Sequence, residues 1–260
     1  MDDRPGGHVQ SVDRALSLLE ALAQDDRGLR LTELARRTGL SLTTVHRLLT
    51  TLEQRRFVQF SRADNAWHVG LQAFAVGSAF SRERNFVAPA LPFLRRLRDQ
   101  TRETANLGVV EDGAVVLVTQ APSREIARAI STVGGRTPMT ASGMGKAILS
   151  SWSRASVHAV VDRQGMRRVT RTTLGTVAAL EGELTETRKV GFAVDDEEFV
   201  PGLRCVAAPV YNDKAEVVCA ISVSGLPARI PMERLPLLGR LVARTASELT
   251  AALGGRPQLH

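Results

Sequence analysis

The feature that most constrains this chain is a tight turn, Gly39-Leu40-Ser41, between two amphipathic helical segments. Gly39 stands where a helix ends in a left-handed residue, and Ser41 can cap the next helix through its side-chain oxygen. We expect Thr32 to cap the helix before the turn. A first helix is expected over 11–23, where apolar residues recur at helical spacing. The sequence therefore predicts three short helices around one small core.

The third of these helices has two chemically different faces. Its buried side is predicted to carry Val45 and Leu49, whereas the opposite side carries hydroxyl, imidazole and guanidinium groups. Two strands, over 57–60 and 66–69, are expected to follow it as a hairpin. Three helices followed by a hairpin define a winged helix-turn-helix, which inserts one helix into the major groove of duplex DNA. The predicted DNA contacts are Arg36, Arg37, Ser41, Thr43, Thr44, His46, Arg47, Arg55 and Arg62.

Within this set, Arg47 is the candidate for a bidentate contact with guanine, and Ser41 and Thr43 are candidates for phosphate. The remaining arginines would neutralise backbone charge. The formal net charge of +7 adds little, because the segment 8–60 is close to electrically balanced. The alternatives are a helical bundle for oligomerisation with solvated arginines and a sensor that binds only proteins. The polar face of the third helix favours DNA.

Composition excludes several classes of protein. No apolar stretch approaches the roughly 20 residues that span a bilayer, and the N-terminus does not resemble a secretory signal. The two cysteines, Cys205 and Cys219, have neither a disulfide-framework nor a metal-ligand spacing, which fits a reducing compartment. We therefore expect a cytoplasmic protein with no membrane contact, no metal and no cofactor.

The chain beyond residue 103 changes from helical segments to alternating strands and helices, which predicts an α+β sensor domain. We expect a winged helix-turn-helix domain over 1–70 with a flexible arm at 1–8, a linker helix over 71–85 and an effector domain over 86–260. The expected strands are 105–110, 115–120, 126–132, 193–194, 205–211 and 217–224. The expected helices are 86–101, with Pro92 in its first turn, 144–151, 153–162, 176–190 and 232–253.

The last predicted strand suggests a binding site. Side chains alternate along it, so Ser222 and Ser224 share one face and present two hydroxyl groups side by side. The loop 141–144 leads into a helix predicted to begin near Gly145, and amides at a helix start attract anions. Together these features predict a pocket for a small carboxylate, although alternating serines also occur on solvent-exposed strand faces.

Three separated groups of segments resemble the IclR family of transcriptional regulators. They are 9–16 (VQSVDRAL), 31–35 (LTELA) and 43–49 (TTVHRLL); then 135–149 (GRTPMTASGMGKAIL); and finally 195–198 (DDEE), 202–210 (GLRCVAAPV) and 220–225 (AISVSG). The resemblance implies a DNA-binding domain, a linker helix and a GAF-like mixed α/β effector domain, assembled as a homodimer or a dimer of dimers. Segments 67–71 and 103–106 look most similar to allantoin- and glyoxylate-responsive repressors.

The resemblance also implies a set of effector contacts. Family members hold a small 2-oxo acid through residues at the positions of Gly143, Met144, Asp195, Cys205, Ser222 and Ser224, beside an apolar wall at Ile126, Ala129 and Thr137. Ala129 and Thr137 are smaller or more polar than the aliphatic residues usual there, which leaves room for a longer acid. The implied effector class is a small carboxylate or semialdehyde such as glyoxylate, pyruvate or succinate semialdehyde.

Repression is the commoner mode in this family, and an activator that responds to an aromatic or other organic acid is the alternative. A more distant alternative is an enzyme with Cys205 as nucleophile. Such an enzyme needs a base within hydrogen-bond reach of the thiol. Only His158 is available outside the DNA-binding domain and the termini, and no carboxylate motif near it is expected to orient it. We predict that His158 and His260 are structural or disordered and that the chain is not an enzyme.

Overall fold

The computed structural model describes residues 9–25, 27–83, 86–124 and 132–256. The chain divides into two compact units, Met1–Glu83 and Arg84–His260. The predicted arm at 1–8 and the terminal His260 lie outside the described residues.

The first unit has the predicted order of elements, three helices, a hairpin and a fourth helix. These are α1 (Gln10–Ala23), α2 (Leu31–Thr38), α3 (Leu42–Gln54), β1 (Val58–Ser61), β2 (Ala66–Val69) and α4 (Leu71–Glu83). Leu18, Leu34 and Leu49 form the centre of its core, one from each of the first three helices. Trp67 of the hairpin packs against the same core and lies 5.1 Å from the Phe60 ring.

Local sequence signals set the turn between α2 and α3. Gly39 has a φ of 69°, the left-handed conformation that ends α2. Ser41 caps α3 as predicted, because its hydroxyl oxygen accepts from the Thr44 amide at 3.2 Å. The prediction that Thr32 caps α2 is wrong, since the helix already begins at Leu31. The cap residue is Arg30, whose amide donates to the Glu33 carboxylate at 2.8 Å.

The second unit consists of an antiparallel sheet between two layers of helices, which confirms the α+β class. Its elements are α5 (Val87–Thr101), β3 (Thr104–Glu111), β4 (Ala114–Ala121), β5 (Arg136–Pro138), α6 (Gly143–Leu149), α7 (Arg154–Gln164), α8 (Val177–Val190), β6 (Ala193–Asp196), β7 (Arg204–Tyr211), β8 (Val217–Gly225), a 3-10 turn (Met232–Arg234) and α9 (Leu235–Ala252). Among the residues that the structure describes, six strands lie in the order β5-β4-β3-β8-β7-β6.

The two faces of the sheet have different partners. Ile221 and Val223 of β8 belong to the core formed with α5 and α9. Ala220 faces the other way, into the core formed with α6, α7 and α8. Because side chains alternate along a strand, Ser222 and Ser224 lie on this second face with Ala220. The alternation predicted for β8 is therefore confirmed.

Several boundaries differ from the predictions. The strand expected at 126–132 falls almost entirely outside the described residues, and β5 was not predicted. The helix α6 begins at Gly143 instead of near Gly145, and Pro92 lies in the second turn of α5 instead of the first. Within the described parts of the chain, no helix is both long enough and apolar enough to cross a membrane.

Candidate effector cavity and nucleic-acid surface

A cavity of about 180 Å³ lies on the α6 side of the sheet, and its lining includes residues of β3, β4, β5, β6, β7 and β8. The floor of the cavity includes Ser222 and Ser224 on β8. Asn106 on β3 and Cys205 on β7, the two strands beside β8, also belong to the floor. The described residues that line it are Asn106, Leu117, Thr132, Gly135, Arg136, Thr137, Ser142, Gly143, Met144, Asp195, Phe199, Val200, Leu203, Cys205, Ser222 and Ser224. The cavity is therefore bounded by strand residues below, by the start of α6 and by the loop after β6, and it is partly open to solvent.

A buried amide organises the hydroxyl groups on this floor. Asn106, 2% exposed, faces Ser222 across the β3–β8 pairing. Its Nδ2 donates to the Ser224 hydroxyl at 3.0 Å and lies 3.3 Å from that of Ser222. The same nitrogen lies 3.4 Å from the Thr104 carbonyl oxygen, which only accepts, so the amide turns its nitrogen toward the serines. Its two hydrogens serve two of these three acceptors, of which the Ser224 oxygen is the nearest, so the Ser224 hydrogen remains available to donate to an anion. The Ser222 hydroxyl also hydrogen-bonds to Cys205.

Asp195 forms the other end of the floor. Its backbone pairs with Cys205, and Cys205 pairs with Ser224, so these three residues run side by side across β6, β7 and β8. Burial raises the pKa of the Asp195 carboxyl to about 7, although its Oδ1 accepts from the Glu198 amide at 2.8 Å. A carboxyl with such a pKa carries a proton for much of the time at neutral pH, and then it donates a hydrogen bond instead of repelling an anion.

Cys205 contributes a neutral thiol to the cavity. Burial, with the nearby Asp195 carboxylate as the second cause, raises the pKa of Cys205 to about 12. Nucleophilic cysteines have lowered pKa values, so this thiol is unsuited to catalysis. His158 does have a carboxylate partner, contrary to the prediction, because its Nε2 lies 2.8 Å from the Glu181 carboxylate. That pair connects α7 and α8, and no histidine is among the described residues that line the cavity.

The start of α6 closes the cavity from above. A Cβ atom at Gly143 would lie 3.2 Å from the Cys205 sulfur, so a larger residue here would press into the floor. The Gly145 amide is already bound to the Ser142 hydroxyl at 3.1 Å. The amides predicted to bind an anion are those of the loop 141–144, and Ser142, Gly143 and Met144 of that loop line the cavity with the hydroxyls of the floor.

A buried ion pair stands directly behind this wall. Lys146 of α6 is fully buried, and its ammonium group contacts the Glu198 carboxylate, which is 5% exposed. The Glu198 carbonyl oxygen in turn accepts from the Thr173 hydroxyl at 2.6 Å. Because Phe199 and Val200 follow Glu198 directly, the pair fixes the loop that forms one side of the cavity.

Most of the predicted effector residues meet at this cavity. Thr137, Gly143, Met144, Asp195, Cys205, Ser222 and Ser224 all line it, whereas Ile126 and Ala129 lie outside the described residues. Sequence reasoning missed Asn106, Arg136 and the apolar side chains after β6. A single amide within the otherwise apolar run 105–110 was the available signal for Asn106. No comparable pattern in the sequence around Arg136 or Phe199 indicates that these residues line a cavity. The described residues contain no cluster of His, Cys, Asp or Glu that could hold a metal ion.

The predicted DNA contacts lie on α2, on α3 and its flanking residues, and in the turn of the hairpin. Thr43, His46 and Arg47 are exposed on α3, whereas Thr44 is half-buried and its hydroxyl lies 2.9 Å from that of Ser41. A groove beside α3 is lined by Ser11, Arg14, Thr44, His46, Arg47, Leu48, Thr50 and Thr51. The exposed side of α3 therefore presents polar and basic side chains that lie outside the core of the first unit.

The other predicted arginines differ in their partners. Arg37 forms an ion pair with Asp25 at 2.8 Å, so part of its charge is neutralised within the unit. Arg36 is exposed on α2, Arg55 is exposed at the end of α3, and Arg62 is exposed in the turn of the hairpin. Arg36 therefore precedes α3 in the sequence, and Arg55 and Arg62 follow it.

Comparison with known proteins identifies the family. A model described as the bacterial transcriptional regulator IclR C-terminal matches residues 79–251, and one described as the IclR helix-turn-helix domain matches residues 11–62. The acetate operon repressor of Salmonella typhimurium is 41% identical, over 96% of this chain and 92% of its own. The repressor AllR of Klebsiella pneumoniae is 35% identical, over 96% of this chain and 92% of its own.

A solved structure has the same fold. The IclR protein of Thermotoga maritima is 22% identical and matches with a TM-score of 0.80, over 95% of this chain and 100% of its own. Both matching family models describe regulators, which confirms the resemblance and the prediction that the chain is not an enzyme. The chain belongs to the IclR family of bacterial transcriptional regulators.

Proposed function

We propose that this chain is a repressor that binds operator DNA and changes its DNA affinity when a small carboxylate or semialdehyde occupies the cavity. The observation that carries the proposal is the buried Asn106 amide, whose bond to the Ser224 oxygen leaves the Ser224 hydroxyl hydrogen for an anion beside Ser222. Repression is supported by the names of the relatives, among them the acetate operon repressor of Salmonella typhimurium.

The floor of the cavity suits a carboxylate that must be released again. Two neutral hydroxyl donors and a protonated Asp195 attract an anion less strongly than a buried cation would. Gly143, Met144 and Thr137 also line the cavity. A sensor needs this intermediate affinity, because it must follow changes in effector concentration. Glyoxylate, pyruvate and succinate semialdehyde are the first compounds to test.

DNA recognition is assigned to the exposed face of α3. Arg47 is proposed to contact a guanine edge, Thr44 and His46 to contact neighbouring bases, and Ser41 and Thr43 to contact phosphate. Arg36, Arg37, Arg55 and Arg62 are proposed to contact the backbone of the duplex. The chain passes from the first unit to the second directly after α4, so this helix is the proposed route of the effector response.

We further propose that the chain acts as a homodimer or a dimer of dimers. The helix α4 exposes Leu71, Phe74 and Val76, with 75%, 71% and 54% of their surface accessible. Large apolar side chains grouped in this way on one short helix are typical of a contact between chains. Mass photometry of the wild type and of Phe74→Glu tests this assignment, and equal masses for both proteins would contradict it.

The experiment that tests the proposed function is fluorescence anisotropy on the DNA upstream of the protein's own gene. We expect at least one of the three compounds to change the affinity of the wild type for this DNA. Ser222→Ala/Ser224→Ala should retain DNA binding and lose the response. Ser247→Ala, an exposed serine on α9, is the matched control and should respond as the wild type does. An undiminished response in the double variant would show that the effector binds elsewhere.

A further inference from the structure

We infer that the effector is a monocarboxylate whose other end is an apolar tail of about two or three carbons. The inference rests on the proposed function and adds the chemical class of the ligand. The segment between β6 and β7 contributes three apolar residues to the lining of the cavity, namely Phe199, Val200 and Leu203. These three residues, called the loop wall below, lie apart from the positions at which the family resemblance implied an apolar wall.

A carboxylate can be held at one end of the cavity only. The Ser224 hydroxyl and the Asp195 carboxyl both belong to the floor. Of the described residues that line the cavity, only Arg136 is a cation, and it is exposed on the edge strand β5. It pairs with Val116, which packs on the α5 and α9 side of the sheet, and its guanidinium group donates to the Glu111 carbonyl oxygen. The described lining therefore offers no partner for a second carboxylate.

Side chains next to the floor are apolar. Leu117 of β4 and Met144 of α6 line the cavity and belong to the core on the α6 side of the sheet. A Cβ atom at Gly108, two residues along β3 from Asn106, would lie 3.0 Å from the Met144 sulfur. Methylene groups lose little in such surroundings, whereas a polar tail would lose its hydrogen bonds to water.

The loop wall is fixed by its own hydrogen bonds. The Glu197 amide donates to the Leu203 carbonyl oxygen at 3.1 Å, and the Gly202 amide donates to the Glu197 carboxylate at 2.7 Å. Between them, Glu198 is buried and paired with Lys146. A surface that is already ordered loses little conformational entropy when a ligand binds. Apolar contacts with the loop wall should therefore contribute almost fully to affinity.

The size of the cavity agrees with a short tail. A cavity of about 150 Å³ accommodates benzene. The cavity here has about 180 Å³. A ligand of about six to eight non-hydrogen atoms therefore fits it. Glyoxylate has no tail and leaves the loop wall without a contact, whereas 2-oxobutyrate and 2-oxopentanoate fall within this range.

The test is calorimetric titration of the full-length protein with pyruvate, 2-oxobutyrate and 2-oxopentanoate. These acids share one head group, and each is one methylene group longer than the one before. We expect each added methylene group to strengthen binding about fourfold, because that factor corresponds to its burial. 2-Oxoglutarate has the chain length of 2-oxopentanoate but ends in a second carboxylate. It should bind about tenfold more weakly than 2-oxopentanoate, or weaker still.

Truncation of the loop wall separates its contribution from that of the floor. Phe199→Ala/Val200→Ala shortens two half-buried side chains, so each step in the series should fall to about twofold or less. Pyruvate should bind this variant nearly as it binds the wild type, which also shows that the variant is folded. Phe93→Ala/Val218→Ala is the matched control, because it shortens a half-buried phenylalanine and valine on the other face of the sheet. It should keep the fourfold steps.

The possible outcomes separate this inference from the proposed function. If the three acids bind equally, if 2-oxoglutarate binds as tightly as 2-oxopentanoate, or if Phe199→Ala/Val200→Ala keeps the fourfold steps, the apolar-tail assignment is wrong. Binding of pyruvate that is lost in Ser222→Ala/Ser224→Ala would then still support the proposed cavity. If none of the acids binds to the wild type, both the inference and the carboxylate site are overturned.

Discussion

Asn106 on β3 and Ser224 on β8 meet across the sheet, with the amide nitrogen of Asn106 3.0 Å from the hydroxyl oxygen of Ser224. Both side chains are buried, and both line the cavity. The direction of this bond decides the chemistry of the site, because it makes the serine an acceptor toward the protein and leaves its hydrogen for a ligand.

Replacing the amide with a carboxylate should reverse this arrangement. Asn106→Asp keeps the shape of the side chain but removes its donors, so the serine hydroxyls turn toward the new carboxylate. A negative charge would also face the bound anion. We expect carboxylate affinity, measured by calorimetry at pH 8, to fall by about tenfold or more.

Gln164→Glu provides the matched control, because it also converts an amide to an acid but lies on exposed α7. This variant should bind as the wild type does. Unchanged affinity in Asn106→Asp would show that Asn106 does not orient the serines for binding.

The raised pKa of Asp195, about 7, predicts a pH-dependent sensor. Below pH 7 the carboxyl is protonated and donates to the anion, and above pH 7 its negative charge opposes binding. Effector affinity should therefore be about tenfold higher at pH 6 than at pH 8. The charged neighbours Glu198, Lys146 and Asp196 act on the same carboxyl, with the first and last raising its pKa. Titrations at several pH values measure the profile.

Asp195→Asn removes the ionisable group and keeps an oxygen for the Glu198 amide. Its affinity should be nearly independent of pH between 6 and 8. At pH 8 it should bind more tightly than the wild type. If Asp195→Asn shows the same dependence of effector affinity on pH as the wild type, a group other than Asp195 is responsible for that dependence.

The pair formed by Lys146 and Glu198 should be important for stability. Lys146→Met leaves a buried carboxylate without its partner, which costs about 3–5 kcal/mol. Burial already raises the pKa of Glu198, and loss of the lysine raises it further, so the carboxyl becomes neutral as the pH falls. The destabilisation should thus be larger at pH 8 than at pH 5. Urea denaturation at both pH values measures it.

Lys189→Met is the control for this experiment, because Lys189 pairs with Glu186 on the surface at 2.6 Å. Its effect should stay within about 0.5 kcal/mol. Lys146→Met/Glu198→Gln should recover part of the lost stability. An effect of Lys146→Met as small as that of the surface variant would contradict the buried-pair assignment.

Arg47 should contribute to sequence specificity, because it is exposed on the face of α3 that the core leaves free. We expect Arg47→Ala to weaken operator binding by about tenfold or more and binding to random DNA much less. Arg55→Ala should weaken both to a similar degree, as a phosphate contact does. Anisotropy titrations with the two DNAs measure this difference. Equal losses for Arg47→Ala would make Arg47 a phosphate contact too.

The features that the sequence predicts most accurately are those that depend on residues adjacent in the chain. The left-handed Gly39 and the Ser41 cap depend on a few adjacent residues, and both predictions are confirmed. The alternation along β8 likewise placed Ser222 and Ser224 on one face. The predicted cap at Thr32 is wrong because the Glu33 carboxylate accepts from the Arg30 amide, so α2 starts two residues earlier.

The missed residues depend on contacts that are distant in sequence. Asn106 and Ser224 are joined only because β3 and β8 are neighbours in the sheet order. The strand β5 has only three residues and is extended because it pairs with β4. The strand propensity of three residues is too weak to predict it from the sequence. Lys146 and Glu198 meet because α6 packs over β6 and β7, an arrangement that helical periodicity does not predict.

In the proposed function, occupancy of the cavity and binding of DNA are linked. The most direct test measures the dissociation constants of both ligands in a closed cycle, the effector with and without operator DNA and the DNA with and without effector. Linkage requires that each ligand changes the affinity of the other by the same factor. We predict equal factors of about five or more in the wild type and a factor of one in Ser222→Ala/Ser224→Ala. A factor of one in the wild type, with both ligands bound, would contradict the account.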